Sequence, residues 1–185
     1  MKNNLNKNKS QIFKELSIKT NIHYGTRLRQ LRNLLVLKAE DLSTVLNIST
    51  NTIKKAEEGG NVGIEIIGEL VLFYGFTLEE FYSLEILPTW EELTKQVINF
   101  NKKHKSSAYE ILRDRPHLQD LIEFRLLETN LFKEWVDEGQ VSEFCKKEYG
   151  HNYSNATNTL NNCVKKGWLI SDEYTKPKKY KLKKK

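Results

Sequence analysis

Cysteine is scarce in this chain, and its two examples, Cys145 and Cys163, fall in helical-looking segments without metal-ligand spacing. That excludes a disulfide-stapled fold and a zinc-ribbon arrangement. Two buried, reduced thiols and a cytoplasmic location are the expectation. No apolar run approaches the roughly twenty residues of a membrane span. The first residues, MKNNLNKNKSQIFKEL, lack the apolar centre of a secretory signal. His23, His104, His117 and His151 are scattered, with no His-Glu-x-x-His and no Cys-x-x-Cys pattern. No glycine-rich phosphate loop follows a strand, because Gly59-Gly60 closes a helical segment. Ser49 and Ser154 read as helix caps rather than nucleophiles, and Glu91-Glu92 as partners of a helix dipole. The expectation is therefore a protein that is not an enzyme, with no metal and no cofactor.

Charge is present but unevenly spread. The formal net charge is +6, yet residues 176–185 hold seven lysines and no acid. Residues 1–22 hold five lysines against one glutamate, which leaves the body between the two ends at −5. Lysine-rich ends of this kind are either solubilising tails or electrostatic clamps on phosphate. The stretch that separates these readings is YGTRLRQLRNLLVLKAEDLSTVLNISTNTIKKAEEG, residues 24–59. Leu28, Leu31 and Leu35 share one helical face, and Ala39, Leu42, Val45 and Leu46 share another. Asn47 tolerates the left-handed backbone of a tight turn, Ile48 fills the core beneath it, and Ser49 can cap a third helix. Two short helices joined by a turn of about three or four residues form the unit that places the second helix in a DNA major groove.

With Gly25, Arg27, Leu28, Leu31, Arg32, Leu42, Leu46, Ile48, the run Ser49–Ile53 and Glu57-x-Gly59, the segment resembles the Cro/lambda-repressor (XRE-type) helix-turn-helix family. The likeness continues through Gly75 and Thr77–Phe81, which match the family's closing helix, and covers about a third of the chain. It implies a five-helix DNA-binding domain over 23–85, a structural pair between Arg32 and Glu57, and base contacts from Thr50, Asn51 and Lys55. Some positions depart from the pattern. Ala39 replaces the usual Gln and removes its phosphate contact, Ser43 stands for Ala, and Asn47 stands for Gly. The loop after Gly59 is one residue short and carries Val62-Gly63 in place of a proline.

The rest of the chain has its own punctuation. Residues 1–22 read as a basic arm, with a short helical element around Ile12, Phe13, Leu16 and Ile18. A fourth helix, from Gly63 to Tyr74, puts Ile64, Ile67, Leu70 and Val71 on one face. Leu87-Pro88 marks a boundary, and residues 86–117 read as a helical linker whose helix is capped by Thr89 and striped by Trp90, Leu93, Val97 and Phe100. A long helix is expected from Leu118 to Trp135, stopped by Asp137-Glu138-Gly139. Val141, Phe144, Cys145 and Tyr149 give the next helix, ending at Gly150. Ser154 is the expected cap of a helix over 155–166 in which Ala156, Leu160, Cys163 and Val164 point inward. Trp168–Ile170 and Lys179–Leu182 then read as two strands around a polar tip. The stretch Leu160–Ile170 resembles the end of a winged-helix recognition helix leading into its wing. The fold class expected is mainly α, with a winged-helix-like domain over 118–182 and a basic end at 183–185. The alternative for that domain is a small helical dimerisation or partner-binding unit.

Burying Ile53 and Ala56 turns Thr50, Asn51, Lys54 and Lys55 outward, and Lys38 can reach a phosphate at the start of the second helix. Thr and Asn read base edges; Lys reaches guanine or phosphate. In the second module, Asn155, Asn158, Thr159, Asn162, Lys165 and Lys166 are the corresponding outward set. Lys176, Lys178, Lys179 and Lys181 would line the wing. The function expected is a sequence-specific transcriptional regulator, a repressor acting as a homodimer on double-stranded DNA. Its dimer contacts are expected around Trp90, Val97 and Phe100 or along the helix from Leu118 to Trp135. The competing expectation is a regulator of antitoxin or defence-system type whose C-terminal half binds a protein partner.

Overall fold

The computed structural model describes residues 2–112 and 114–183, with side chains from residue 11 onward. Lys184 and Lys185, part of the expected basic end, lie outside the described residues. The chain divides into two compact units, Met1–Asp114 and Arg115–Lys185. The described residues form nine α-helices and a three-stranded antiparallel sheet. None of the helices is long and apolar enough to cross a membrane.

The first unit opens with α1, Lys2–Leu34. The expected basic arm is therefore not a separate segment: its Lys, Asn, Gln and Glu carry the helix on without a break. Nothing from residue 2 to 24 is Gly or Pro, the two residues that stop a helix most readily. Helix α1 ends where Val36 takes φ +57, a rare conformation for a β-branched residue, between buried Leu35 and Leu37. Then follow α2 (Ala39–Leu46), α3 (Thr50–Glu57), α4 (Ile64–Phe73), α5 (Leu78–Ser83) and α6 (Trp90–Lys103). Asn47 adopts the left-handed conformation between α2 and α3, at φ 55 and ψ 33. The Ser49 hydroxyl accepts the Thr52 amide at 3.1 Å, and Thr77 and Thr89 close reciprocal caps with Glu80 and Glu92.

The core of this unit is built from Leu28, Leu31, Leu42, Ile53, Leu70, Val71 and Phe81, each 2 % exposed or less. Leu93 and Val97 of α6 are equally buried in it. Residues 86–112 are thus not a linker but part of the first unit. The attachment has a polar component: Asn101 Nδ2 donates to the Phe73 carbonyl at 3.3 Å, and Gln96 Nε2 donates to the Gly75 carbonyl at 3.1 Å. These side chains satisfy carbonyls that the end of α4 leaves without helical partners. Gly75, at φ +80, is required because a Cβ there would meet Gln96 and Phe100. Burial of Val97 also removes it from any dimer contact. Ile64, expected on the buried face of α4, is 57 % exposed.

The second unit contains α7 (Leu118–Phe124), β1 (Val136–Asp137), α8 (Glu138–Tyr149), α9 (Thr157–Lys165), β2 (Leu169–Asp172) and β3 (Lys179–Leu182). The long helix expected to Trp135 is broken. After Phe124 the chain bends through two short 3-10 turns, Leu126–Glu128 and Leu131–Lys133, which drive Leu126 and Phe132 into the core. The Thr129 hydroxyl holds the bend by donating to the Leu126 carbonyl at 2.8 Å. Asp137 does not stop a helix but starts one, exchanging hydrogen bonds with Gln140. Strand β1, only two residues long, has no alternating pattern in the sequence to mark it. It pairs with β3, Val136 facing Tyr180, so the sheet order is β1-β3-β2. Tyr180 is fully buried, and its hydroxyl donates to Asn161 Oδ1 at 3.2 Å, which joins β3 to α9.

Cys145 on α8 and Cys163 on α9 are fully buried, and burial pushes both thiols up to about 11. A pKa raised on folding stabilises the fold fully below the unfolded thiol's pKa and loses that effect as pH rises through the folded value. The second unit should therefore weaken between about pH 9 and pH 11. At pH 8 both thiols should resist a thiol-specific reagent in the native chain and react on unfolding. A native thiol that reacts at the unfolded rate would contradict this packing.

Candidate nucleic-acid interface

Helix α3 is held by three independent contacts. Ile53 and Ala56 are buried beneath it, 0 % and 2 % exposed. At its far end the Arg32 guanidinium grips Glu57 through two hydrogen bonds, Nε to Oε1 at 2.6 Å and Nη2 to Oε2 at 2.8 Å. Arg32 Nη1 also donates to the Leu37 carbonyl at 2.7 Å, so one side chain ties α3 to both α1 and the strained turn at Val36. Burial alone would lower the Arg32 pKa, but the hydrogen bond and charge of Glu57 outweigh it and hold it above its ordinary value. Burial and then the Glu57 carboxylate push the Tyr74 hydroxyl up as well.

The third contact is backbone against backbone. A Cβ on Gly25 would come within 2.5 Å of the Ala56 carbonyl, and one on Gly59 within 2.5 Å of the Ile22 amide. Only glycine permits this crossing, and at Gly59 the backbone is also left-handed, φ +73. Arg29 adds a looser ion pair to Glu57, 3.6 Å from Nε to Oε2.

With α3 held this way, Asn51, Lys54 and Lys55 are exposed and Thr50 is half-buried. Thr52 joins the Ser49 cap, its hydroxyl 2.7 Å from the Ser49 hydroxyl, as expected of a helix-start residue. Lys54 reaches back to Glu40 of α2 at 3.1 Å, with both side chains more than half exposed. An exposed pair of this kind contributes about 0–1 kcal/mol, so Lys54 exchanges Glu40 for another anion at small cost. The Glu40 backbone amide and then Lys54 hold the Glu40 carboxyl below its ordinary value. Lys38 is exposed at the start of α2, its amide donating to Asp41 at 2.6 Å.

In the second unit, Leu160 and Cys163 on α9 and Ala156 just before it are buried, while Asn158, Asn162, Lys165 and, just after the helix, Lys166 are exposed and Thr159 is half-buried. Asn155 does not belong to the helix. It sits in the preceding turn at φ +65, and α9 begins at Thr157, whose hydroxyl bonds to Glu138 instead of Ser154 capping the helix. The Lys166 ammonium lies 4.4 Å from the Trp168 ring centre. Lys179 and Lys181 flank buried Tyr180 on β3, so they project from the opposite face of the sheet. Lys181 is 3.7 Å from Glu134 and Lys178 is 3.5 Å from Glu173. Lys183 is exposed beyond β3, its amide donating to the Trp168 carbonyl at 3.1 Å.

Sequence reasoning passed over Arg115. It donates to the Asn152 carbonyl at 2.5 Å, stacks its guanidinium 4.9 Å from the Tyr153 ring centre, and lines a cavity of about 230 Å³ together with Asn155 and Thr159. The only signal in the sequence was a basic residue before the Pro116 helix start. Among the described residues, no group of three or more His, Cys, Asp or Glu is placed to hold a metal ion. No protein-family model matches this chain, and no curated protein or solved structure is similar to it at a significant level.

Arg32→Ala should destabilise the protein by about 3–5 kcal/mol, because it strands the buried Glu57 carboxylate. Arg32→Lys should recover little, since an ammonium cannot supply the two-pronged grip and the third bond to Leu37. Urea denaturation measures both. A loss below about 1 kcal/mol for the alanine variant would mean that Glu57 finds water or Arg29 instead.

Proposed function

We propose that the chain is a sequence-specific DNA-binding regulator, a repressor that acts as a homodimer and reads base edges with α3. The observation that carries this reading is the pairing of a rigid seat with an open polar face. Buried Ile53, Ala56 and Glu57 alternate along one short helix with exposed Asn51, Lys54 and Lys55. A merely solvated helix has no need of a buried two-pronged ion pair at its end. In this reading α1 to α5 form a helix-turn-helix domain of Cro/lambda-repressor type. Asn51 reads adenine, Lys55 reaches guanine or phosphate, and Lys38 and Lys54 contact phosphates.

The second unit supports a winged-helix reading. Its order of helix, strand, two helices and a hairpin, with β1 paired to the returning strand β3, places α9 and the hairpin lysines next to one another in the chain. Asn158, Asn162, Lys165 and Lys166 then form a second DNA face, with Arg115 a further phosphate contact. A protein partner for this half remains the competing reading. It is favoured by Trp135, Ile170 and Tyr174, which are 38 %, 40 % and 100 % exposed.

Asn51→Ala and Lys55→Ala should each weaken binding to DNA from the chain's own promoter region by about 1–3 kcal/mol, with a smaller change on random DNA. Equal binding by wild type and both variants would remove α3 from the interface. Changing Lys183, Lys184 and Lys185 to Gln should lower the salt slope of binding by up to about 0.9 for each lysine engaged. An unchanged slope would make that end a solubilising tail.

A further inference from the structure

One cavity of the second unit gathers polar side chains that the packing of the fold does not use. It measures about 230 Å³, and every residue lining it belongs to this unit. Two segments make its walls: Arg115 to Leu118, leading into α7, and Tyr153 to Thr159, leading into α9. The walls are tied together. The Tyr153 hydroxyl donates to the Pro116 carbonyl at 2.7 Å, and Arg115 Nη1 donates to the Asn152 carbonyl at 2.5 Å. Leu118 on one wall and Ala156 on the other are buried and anchor both in the core.

Arg115 is the only permanently charged side chain in the lining, and no carboxylate stands there to oppose an anion. It has no ion pair among the described residues, and a single guanidinium N–H is engaged. Its field is felt nearby: burial first, and then the Arg115 charge, hold His151 below its ordinary pKa. A guanidinium fixed by an aromatic ring and one carbonyl keeps the rest of its planar fork for an oxyanion. The side chains of His117, Ser154, Asn155 and Thr159 also line the cavity, and none makes a hydrogen bond to a described residue. Two hydroxyls, an amide and an imidazole therefore supply further donors around the same space.

A phosphate monoester, with three terminal oxygens and a charge of about −1.5 to −2 near pH 7, suits this donor set better than a carboxylate does. Pockets that enclose a drug-sized ligand run to about 300–1,000 Å³, so this smaller one takes a head group and leaves the rest outside. We propose that the cavity binds the terminal phosphate of a small phosphorylated ligand, with Arg115 as counter-ion and Ser154, Asn155 and Thr159 as hydrogen-bond donors. The site stands on its own geometry and not on the DNA reading. A DNA backbone phosphate is the other source of the same group, since Arg115 contacts one in the proposed function. Being a diester with one charge and two free oxygens, it matches these donors less well.

Glycerol 3-phosphate, titrated at constant ionic strength into the isotopically labelled full chain, tests the site. Backbone amide shifts should saturate at Arg115 and from Ser154 to Thr159, and acetate should bind about tenfold more weakly or worse. Arg115→Gln should weaken ester binding about tenfold or more. Because Arg115 also holds the Asn152 carbonyl, Ser154→Ala/Thr159→Val is the second variant. It leaves both ties between the walls intact and should cost about tenfold as well. Amides that stay silent at high ester concentration would overturn the proposal, as would a response that both variants leave unchanged or acetate binding as tight as the ester. A short duplex DNA, titrated separately, distinguishes the two sources. Pocket shifts with DNA but none with the ester would assign the cavity to the DNA backbone and overturn the small-ligand site. A saturable response to the ester upholds it even where the duplex does not bind, so this site and the DNA reading fail independently.

Discussion

A guanidinium that has left water must find every one of its hydrogen bonds inside the protein, and this requirement organises the first unit. Arg32 is 8 % exposed and Glu57 is 3 % exposed. Burying such a pair costs several kcal/mol per ion, recovered only when the geometry is close to ideal. Here the match is two-pronged, and a third N–H, on Nη1, donates to the Leu37 carbonyl. The geometry therefore permits one placement of α3 relative to α1 and of the turn at Val36. The glycine crossing at Gly25 and Gly59 sets the spacing of the same two helices independently. An ion pair fixes direction, a backbone contact fixes distance, and buried Ile53 supplies the burial energy, of the order of 1.5–3 kcal/mol for such a side chain.

Much of this was legible because it is local. The Ser49 and Thr89 caps, the left-handed Asn47 and the outward face of α3 follow from residue type at a given spacing, and each stands where the pattern puts it. What was illegible depends on contacts distant in sequence. Strand β1 is two residues long and exists only because β3 returns to pair with it. The break after Phe124 has no Gly or Pro to announce it; the core gains Leu126 and Phe132 by bending a segment whose periodicity favours a straight helix. Helix α6 looked like a linker because the acceptors of Asn101 and Gln96 lie about twenty to thirty residues earlier in the chain. At the site, α9 starts later than its cap residue suggested, which removes Asn155 from the helix. Arg115 was invisible because its stacking partner is far along the sequence.

The division of charge fits a division of labour under the proposed function. Acid collects where the first unit has no lysine or arginine, from residue 56 to 94, and base collects on α3, on the hairpin and at both ends. Under that proposal the glutamates of residues 56–94 repel DNA, while the lysines of α3 in the first unit and of the hairpin in the second each attract it. In the same proposal specificity falls to Asn51 and Lys55, which stand on a helix anchored by Arg32 and by the glycine crossing.

The most direct test is a titration of duplex DNA into the isotopically labelled full chain, followed residue by residue through backbone amide shifts. The account predicts that the largest changes fall between Ser49 and Lys55 and at Lys38. Those in α3 should persist at a salt concentration that abolishes changes at the hairpin lysines. Changes confined to the second unit, or an α3 that stays silent at saturating DNA, would contradict it.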